Sequence, residues 1–175
     1  MTLRHLRAMA LPPALAAAFL FSPHAVAQDD PDVVADPDRG RVVYQRIGYC
    51  VTCHGWAGDG KSGISMHAPV GANLRESLLD AEALAGVIQC GIPGTGMPYH
   101  DSAAYRDDRC YGQVMADFEG EKPPVRGKTF REKQLADLVA YLQAHVVGLG
   151  APNYDECADY FGTSAVKACA YLKTN

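Results

Sequence analysis

The stretch Cys50-Val51-Thr52-Cys53-His54-Gly55 constrains this chain more than any other. Its Cys-x-x-Cys-His spacing sets two thiols on one turn and an imidazole directly after the second, the arrangement that attaches a haem covalently. Each thiol adds its S–H across one haem vinyl group to give a thioether, and His54 then faces the iron as one axial ligand. A thioredoxin-like Cys-x-x-Cys, or half of a zinc site, needs no histidine after the second cysteine. Covalent attachment of one haem c through Cys50 and Cys53 is therefore the expected chemistry.

The chain has 175 residues, enough for one domain with a core and too few for two comfortable ones. Residues 1–27 place Arg4, His5 and Arg7 before the apolar run Ala8–Phe21 and end in Ala25-Val26-Ala27. That layout predicts a secretory signal peptide cleaved after Ala27, and hence a periplasmic product. Pro12 and Pro13 break the run, which falls short of the about 20 apolar residues of a spanning helix, so no membrane span is expected after cleavage. Cleavage removes Arg4 and Arg7 but no acid, leaving 14 basic against 20 acidic residues, a formal charge of -6. Nucleic acid and anionic membranes are poor partners for such a surface. Six cysteines in an exported chain divide into two for haem and four, Cys90, Cys110, Cys157 and Cys169, for two disulfides.

Residues 28–35 read as a disordered acidic leader. Asp36 and Pro37 then predict a cap and first helical residue, with Gly40, Tyr44 and Ile47 on one face of a helix running into the haem motif. Gly40 would let a second helix approach closely. Gly55 to Gly63 lacks the order of a phosphate-binding loop and is expected to wrap one haem edge, with the Trp56 ring nitrogen donating to a haem propionate or the ring packing on the macrocycle. Asp80 predicts the cap of a helix with Leu84, Val87 and Ile88 inward and Gly91 as its stop. The 31 residues from Pro98 to Lys128 have weak periodicity apart from Val114, Met115 and Phe118, and read as an insertion serving as a functional surface or lid. Thr129-Phe130-Arg131-Glu132 predicts a capping box before the stripe Leu135, Leu138, Val139, Leu142 and Val146. After Pro152, two short helices separated by Gly162 form a tail, expected to be a structural appendix stapled by Cys157 and Cys169.

The sixth iron position decides function: a filled one suits outer-sphere electron transfer, an open one small-molecule chemistry. Met66, His67, Met97, His100 and Met115 are the candidates. Met97 is favoured because Gly91-Ile92-Pro93-Gly94-Thr95-Gly96-Met97-Pro98 cannot continue a helix and presents the sulfur on a turn. His67 and His100 read as solvated loop histidines, His100 being the second choice as ligand.

On these residues the chain resembles class I c-type cytochromes. Gly40 and Tyr44, Cys50-x-x-Cys53-His54-Gly55, the Gly94-Thr95-Gly96-Met97-Pro98 turn and the helix with Leu138, Tyr141 and Leu142 carry the resemblance, over roughly residues 36–147. It implies an all-α fold in which the first and last helices cross near Gly40, and His54 and Met97 as axial ligands of a carrier that is not an enzyme. It also implies a proline carbonyl holding the histidine's other nitrogen, but alanine stands at that place in Gly71-Ala72-Asn73-Leu74, leaving Pro69 as a substitute. Residues 36–148 would form the cytochrome domain, 98–128 its insertion and 149–175 a C-terminal hairpin tail. Of the three pairings open to four cysteines, local closure favours Cys90–Cys110 and Cys157–Cys169. Similar decorated cytochromes imply redox partners, an exported dehydrogenase, quinoprotein alcohol dehydrogenases among them, as donor and a terminal oxidase chain as acceptor. Two other functions are compatible with the motif: a small-molecule enzyme or sensor with a labile sixth site, using His100 and Asp101, or a cytochrome subunit of a larger oxidoreductase.

Overall fold

The Asp36 carboxylate accepts hydrogen bonds from the amides of Asp38 and Arg39 at 2.9 and 3.2 Å, and Pro37 follows with its φ already helical. Helix α1 (Pro37–Val42) therefore starts where the sequence predicts. The computed structural model describes residues 34–61 and 70–173, all within one compact unit of residues 31–175. The expected signal peptide, all but the last two positions of the leader, and Met66, His67 and Pro69 lie outside the described residues.

The first helix does not run unbroken into the haem motif. It widens into a π turn (Val43–Ile47), stops at Gly48, and passes through Tyr49 at φ +55° before the four-residue α2 (Val51–His54). A β-carbon on Gly48 would lie 2.7 Å from the Phe130 ring and 3.1 Å from Cys50 Sγ, so neighbouring side chains leave no room for a larger residue where the helix stops.

Helix α3 (Ala81–Cys90) is capped by Asp80, which accepts from the Ala83 amide at 2.9 Å, and ends at Gly91 with φ +63°. Helix α4 (Glu132–His145) packs across α1 and along α3. Thr129 is not its cap: the Arg131 amide donates to Gln134 Oε1 at 2.9 Å, so half of a capping box forms two residues later than predicted. The reason is upstream, where the Phe130 amide is committed to the His100 carbonyl at 3.0 Å.

The core lies between these helices. Val43, Tyr44, Leu84, Ile88, Leu138, Val139, Tyr141, Leu142 and Val146 are buried together. Each such side chain contributes about 1.5–3 kcal/mol on leaving water. At the α1–α4 crossing the backbones nearly touch, since a β-carbon on Gly40 would sit 1.9 Å from the Asp137 carbonyl oxygen. Asp137, 3 % exposed, accepts from Arg39 Nε and Nη2 and from the Asp36 amide, tying the start of α1 to α4. Burial pushes its carboxyl up, but these donors together with the Arg39 and Lys133 charges prevail and hold it below the usual carboxylate value.

The insertion has a core of its own. Cys90, Tyr99, Ala104, Tyr105, Cys110 and Phe118 are buried together, Tyr105 meeting Tyr99 and Phe118 edge to face. A disulfide joins Cys90 to Cys110, and the one regular piece is a 3-10 turn, Met115–Phe118. Among the described residues there is no strand, only isolated bridges at Tyr99–Arg126 and Cys110–Gln113. The insertion is thus a packed lobe anchored on α3.

The tail comprises α5 (Tyr154–Phe161), a 3-10 turn (Gly162–Ser164), α6 (Ala165–Ala168) and a last 3-10 turn (Ala170–Leu172), with Cys157 bonded to Cys169. Trp56, Tyr154, Phe161 and Leu172 pack around the bridge. No described helix is long and apolar enough to cross a membrane.

Candidate functional site

Helix α2 puts Cys50, Cys53 and His54 on a single turn, with the His54 and Gly55 amides donating to Cys50 and Val51 carbonyls. Cys50 and Cys53 are unbridged while the other four cysteines are paired with each other. Burial pushes the Cys50 thiol up to about 12, so it stays protonated at neutral pH and is a poor nucleophile for disulfide exchange.

His54 is 9 % exposed, and its Nδ1 lies 2.9 Å from the Ala72 carbonyl oxygen. A carbonyl only accepts, so Nδ1 carries the hydrogen and Nε2 keeps its lone pair. Burial pulls the imidazole pKa below 6.5, against the opposing effect of the Ala72 bond, which keeps the ring neutral and able to ligate. The acceptor is Ala72, at the position where the family pattern has proline, and no substitute from Pro69 is required. A main-chain oxygen serves equally well from any residue, which explains why the side chain there is free to differ. The segment is seated by Gly71, whose amide donates to the Cys53 carbonyl at 2.9 Å. A β-carbon at Gly71 would meet His54 Nδ1 at 2.7 Å.

The loop after His54 is built tightly onto protein. Gly55, Ala57, Gly58 and Gly60 are buried, Tyr44 donates its hydroxyl to the Gly55 carbonyl at 2.8 Å, and the Gly60 amide returns to the His54 carbonyl at 2.9 Å. A β-carbon on Gly58 would strike Val146 Cγ1 at 2.3 Å, so this part of the loop wraps the end of α4. The Trp56 ring, expected either to donate to a propionate or to pack on the macrocycle, donates its nitrogen to the Tyr171 hydroxyl at 3.0 Å and packs on Tyr160 and Phe161. The tail supplies those partners.

Met97 belongs to a separate turn. Its amide donates to Thr95 Oγ1 at 3.1 Å, its carbonyl accepts from the Ile92 amide at 3.3 Å, and its side chain is half-buried. His100 is not a solvated loop histidine: it is 5 % exposed, stacks on Phe130 with ring centres 4.2 Å apart, and holds the Lys128 carbonyl through Nδ1 at 2.7 Å. Asp101 accepts from the Ala103 amide and pairs with Arg109 at 3.4 Å. Both side chains of the pair suggested for small-molecule chemistry are thus engaged in the insertion's structure. Met115 is exposed on the insertion's 3-10 turn.

Residues 35–116 match the family model described as cytochrome c oxidase, cbb3-type, subunit III. Over those residues the match supports a class I c-type cytochrome domain. No curated protein matches it. The cytochrome has the all-α cytochrome c fold of this class, binds haem c covalently and transfers electrons with redox partners. The donor set fits that group: two unbridged thiols on one turn, and beside them a neutral imidazole with Nε2 unengaged by the Ala72 bond.

Arg75 went unnoticed in the sequence. It is 2 % exposed, pairs with Glu156 of α5 at 3.0 Å, and donates to the carbonyls of Gly150, Ala57 and Leu149. It ties the haem-motif loop to the tail. No spacing rule marks such a residue, because four of its partners are distant in sequence and three of them are main-chain oxygens.

Proposed function

We propose that this cytochrome is an exported single-electron carrier with Cys50 and Cys53 as the thioether cysteines and His54 and Met97 as the axial ligands of one haem c. The haem supplies a one-electron Fe(III)/Fe(II) couple when bound. The observation that carries the reading is His54, buried and oriented by the Ala72 carbonyl beside the only two unbridged cysteines. The residues' part is to hold and to exclude. Cys50 and Cys53 tether the group, and the Ala72 bond fixes the imidazole plane and raises its basicity. A thioether from Met97 favours ferrous iron and so raises the potential relative to a second nitrogen ligand. Little has to move when the electron passes.

In this reading residues 1–27 direct export to the periplasm, residues 36–148 carry the electron, and the donor is an exported dehydrogenase, quinoproteins being one such class, with a terminal oxidase chain as acceptor. A second reading, a subunit held within a larger oxidoreductase, is favoured by the matched family's description as an oxidase subunit. Stoichiometric co-purification of a partner would select the subunit, and a monomeric free cytochrome the carrier.

Visible spectra of the exported protein, oxidised and reduced, with and without carbon monoxide, test the ligand set. His/Met ligation gives a low-spin spectrum, the ferric sulfur-to-iron charge-transfer band and no response to carbon monoxide. Met97→Ala keeps the haem attached, lowers the potential and admits carbon monoxide; an unchanged spectrum and potential would exclude Met97 as ligand.

A further inference from the structure

Bulky L residues rarely enter the left-handed backbone region, yet Tyr105 and Tyr111 both do so, at φ +59° and +60°. Both belong to the insertion, and their hydroxyls converge on adjacent main-chain oxygens. Tyr105 donates to the Cys90 carbonyl at 2.6 Å and Tyr111 to the Gly91 carbonyl at 2.7 Å. Cys90 is also covalently bound to Cys110, the residue before Tyr111. Three attachments from the insertion therefore meet on the last residue of α3 and the first residue of the Met97 turn.

Those two residues bear directly on the backbone of Met97. A β-carbon on Gly91 would lie 2.8 Å from the Met97 carbonyl oxygen and 2.7 Å from the Pro98 carbonyl carbon and the Tyr99 nitrogen, so Gly91 cannot shift toward the turn without displacing it. The far end is held as well: the His100 amide donates to Ile88 and Gln89 carbonyls, and the Tyr99 amide to the Val125 carbonyl at 2.9 Å. Tyr105 is buried and packs the insertion's core. Tyr111 is 54 % exposed, and among the described residues its ring pairs with no other ring. A half-exposed aromatic in an unfavourable backbone conformation is a poor device for general stability. What it does is deliver one hydroxyl to Gly91.

We infer that Tyr111, seconded by Tyr105, is a positioning residue for the sixth iron ligand, clamping the base of the turn so that the Met97 sulfur stays on the iron and small molecules stay out. This rests on the reading of Met97 as that ligand. The insertion thereby acts on the sixth position through the main chain.

The test uses the full haem-loaded protein and the variants Tyr111→Phe, Tyr105→Phe and their combination, each removing a hydroxyl and keeping the ring. The readouts are the ferric sulfur-to-iron band, the alkaline pH at which it is lost, carbon monoxide binding to the ferrous form, and the unfolding temperature. Tyr111→Phe is expected to lower the pH at which the band disappears and to raise the carbon monoxide-accessible fraction roughly 3- to 10-fold, the factor one net hydrogen bond sets on local opening, with a fall in global stability no larger than that same factor. The double variant should exceed either single one. A parent that shows the band, with variants indistinguishable from it, would overturn the clamp and leave Met97 ligation standing. A lowered unfolding temperature with no change in the band or in carbon monoxide binding would make the tyrosines ordinary stabilisers, which also overturns it. A parent without the band would remove Met97 as ligand, and the clamp with it.

Discussion

A β-carbon at Gly71 would lie 2.7 Å from His54 Nδ1 and 2.8 Å from the Cys53 carbonyl oxygen, so this one position sets how the histidine is held. Gly71→Ala must push the Ala72 segment away from the ring, weakening the Nδ1–carbonyl bond that makes the imidazole a better donor. The expected result is an upward shift in potential with a loss of about 1–3 kcal/mol in stability, read by redox titration and by chemical denaturation. His100 makes a different kind of prediction. Burial lowers its pKa below 6.5, against the opposing Lys128 carbonyl, so the folded protein holds it neutral while the unfolded chain takes up a proton near 6.5. Its contribution to stability is present above 6.5 and is lost as pH falls toward the depressed folded value, at up to about 1.4 kcal/mol per pH unit. His100→Gln should lower overall stability but flatten this acid slope, which denaturant titrations from pH 7 to 5 would measure. An unaltered slope would show that His100 does not carry it.

At the scale of elements, the α1–α4 crossing decides whether the fold closes. Gly40 has no room for a methyl group: the clash at 1.9 Å is with the Asp137 main chain, and Tyr141 Cβ stands 2.7 Å away. Backbone cannot yield as a flexible side-chain end can, so the helices must separate and the packing of Tyr44 on Tyr141, ring centres 5.5 Å apart, must loosen. Gly40→Ala should cost about 3 kcal/mol or more. For a chain of this size that is roughly a 6–12 °C fall in unfolding temperature. Differential scanning calorimetry would check it, and a drop of only a degree or two would mean that the crossing adapts. Gly40, Tyr44 and the α4 stripe were legible because the helical period of 3.6 writes a buried face directly into the sequence. The interruption at Gly48–Tyr49 was not, since the ring packed against Gly48, Phe130, comes from the other end of the domain.

At the scale of the whole molecule, the insertion and tail are joined to the cytochrome in different ways. The insertion is bonded to α3 by the Cys90–Cys110 bridge and continues its hydrogen bonding, whereas the tail docks through side chains, with Trp56, Arg75 and Arg41 as its contacts. Loss of the Cys157–Cys169 bridge should therefore open the tail alone. Cys157→Ser with Cys169→Ser is expected to destabilise it by about 2–4 kcal/mol, raising amide hydrogen exchange across residues 153–172 while α1, α3 and α4 remain protected. Exchange rising in α4 to the same extent would mean that tail and core unfold as one.

The residue sequence by itself determined the local matters: the haem-binding turn from its spacing, the Asp36 and Asp80 caps, the inward faces of α3 and α4, and a methionine on a turn that no helix could occupy. These depend on residues within a few positions of one another, and the chemistry of the side chains suffices. Tertiary structure decided what depends on distant chain. Ala72 came to serve His54 because only a main-chain oxygen was needed, and main-chain oxygens leave no mark in a sequence. Trp56 turned to Tyr171, His100 was buried against Phe130, and Tyr105 and Tyr111 reached Cys90 and Gly91, since a hydrogen bond or a stacked ring goes to whatever partner the fold brings within about 3–4 Å.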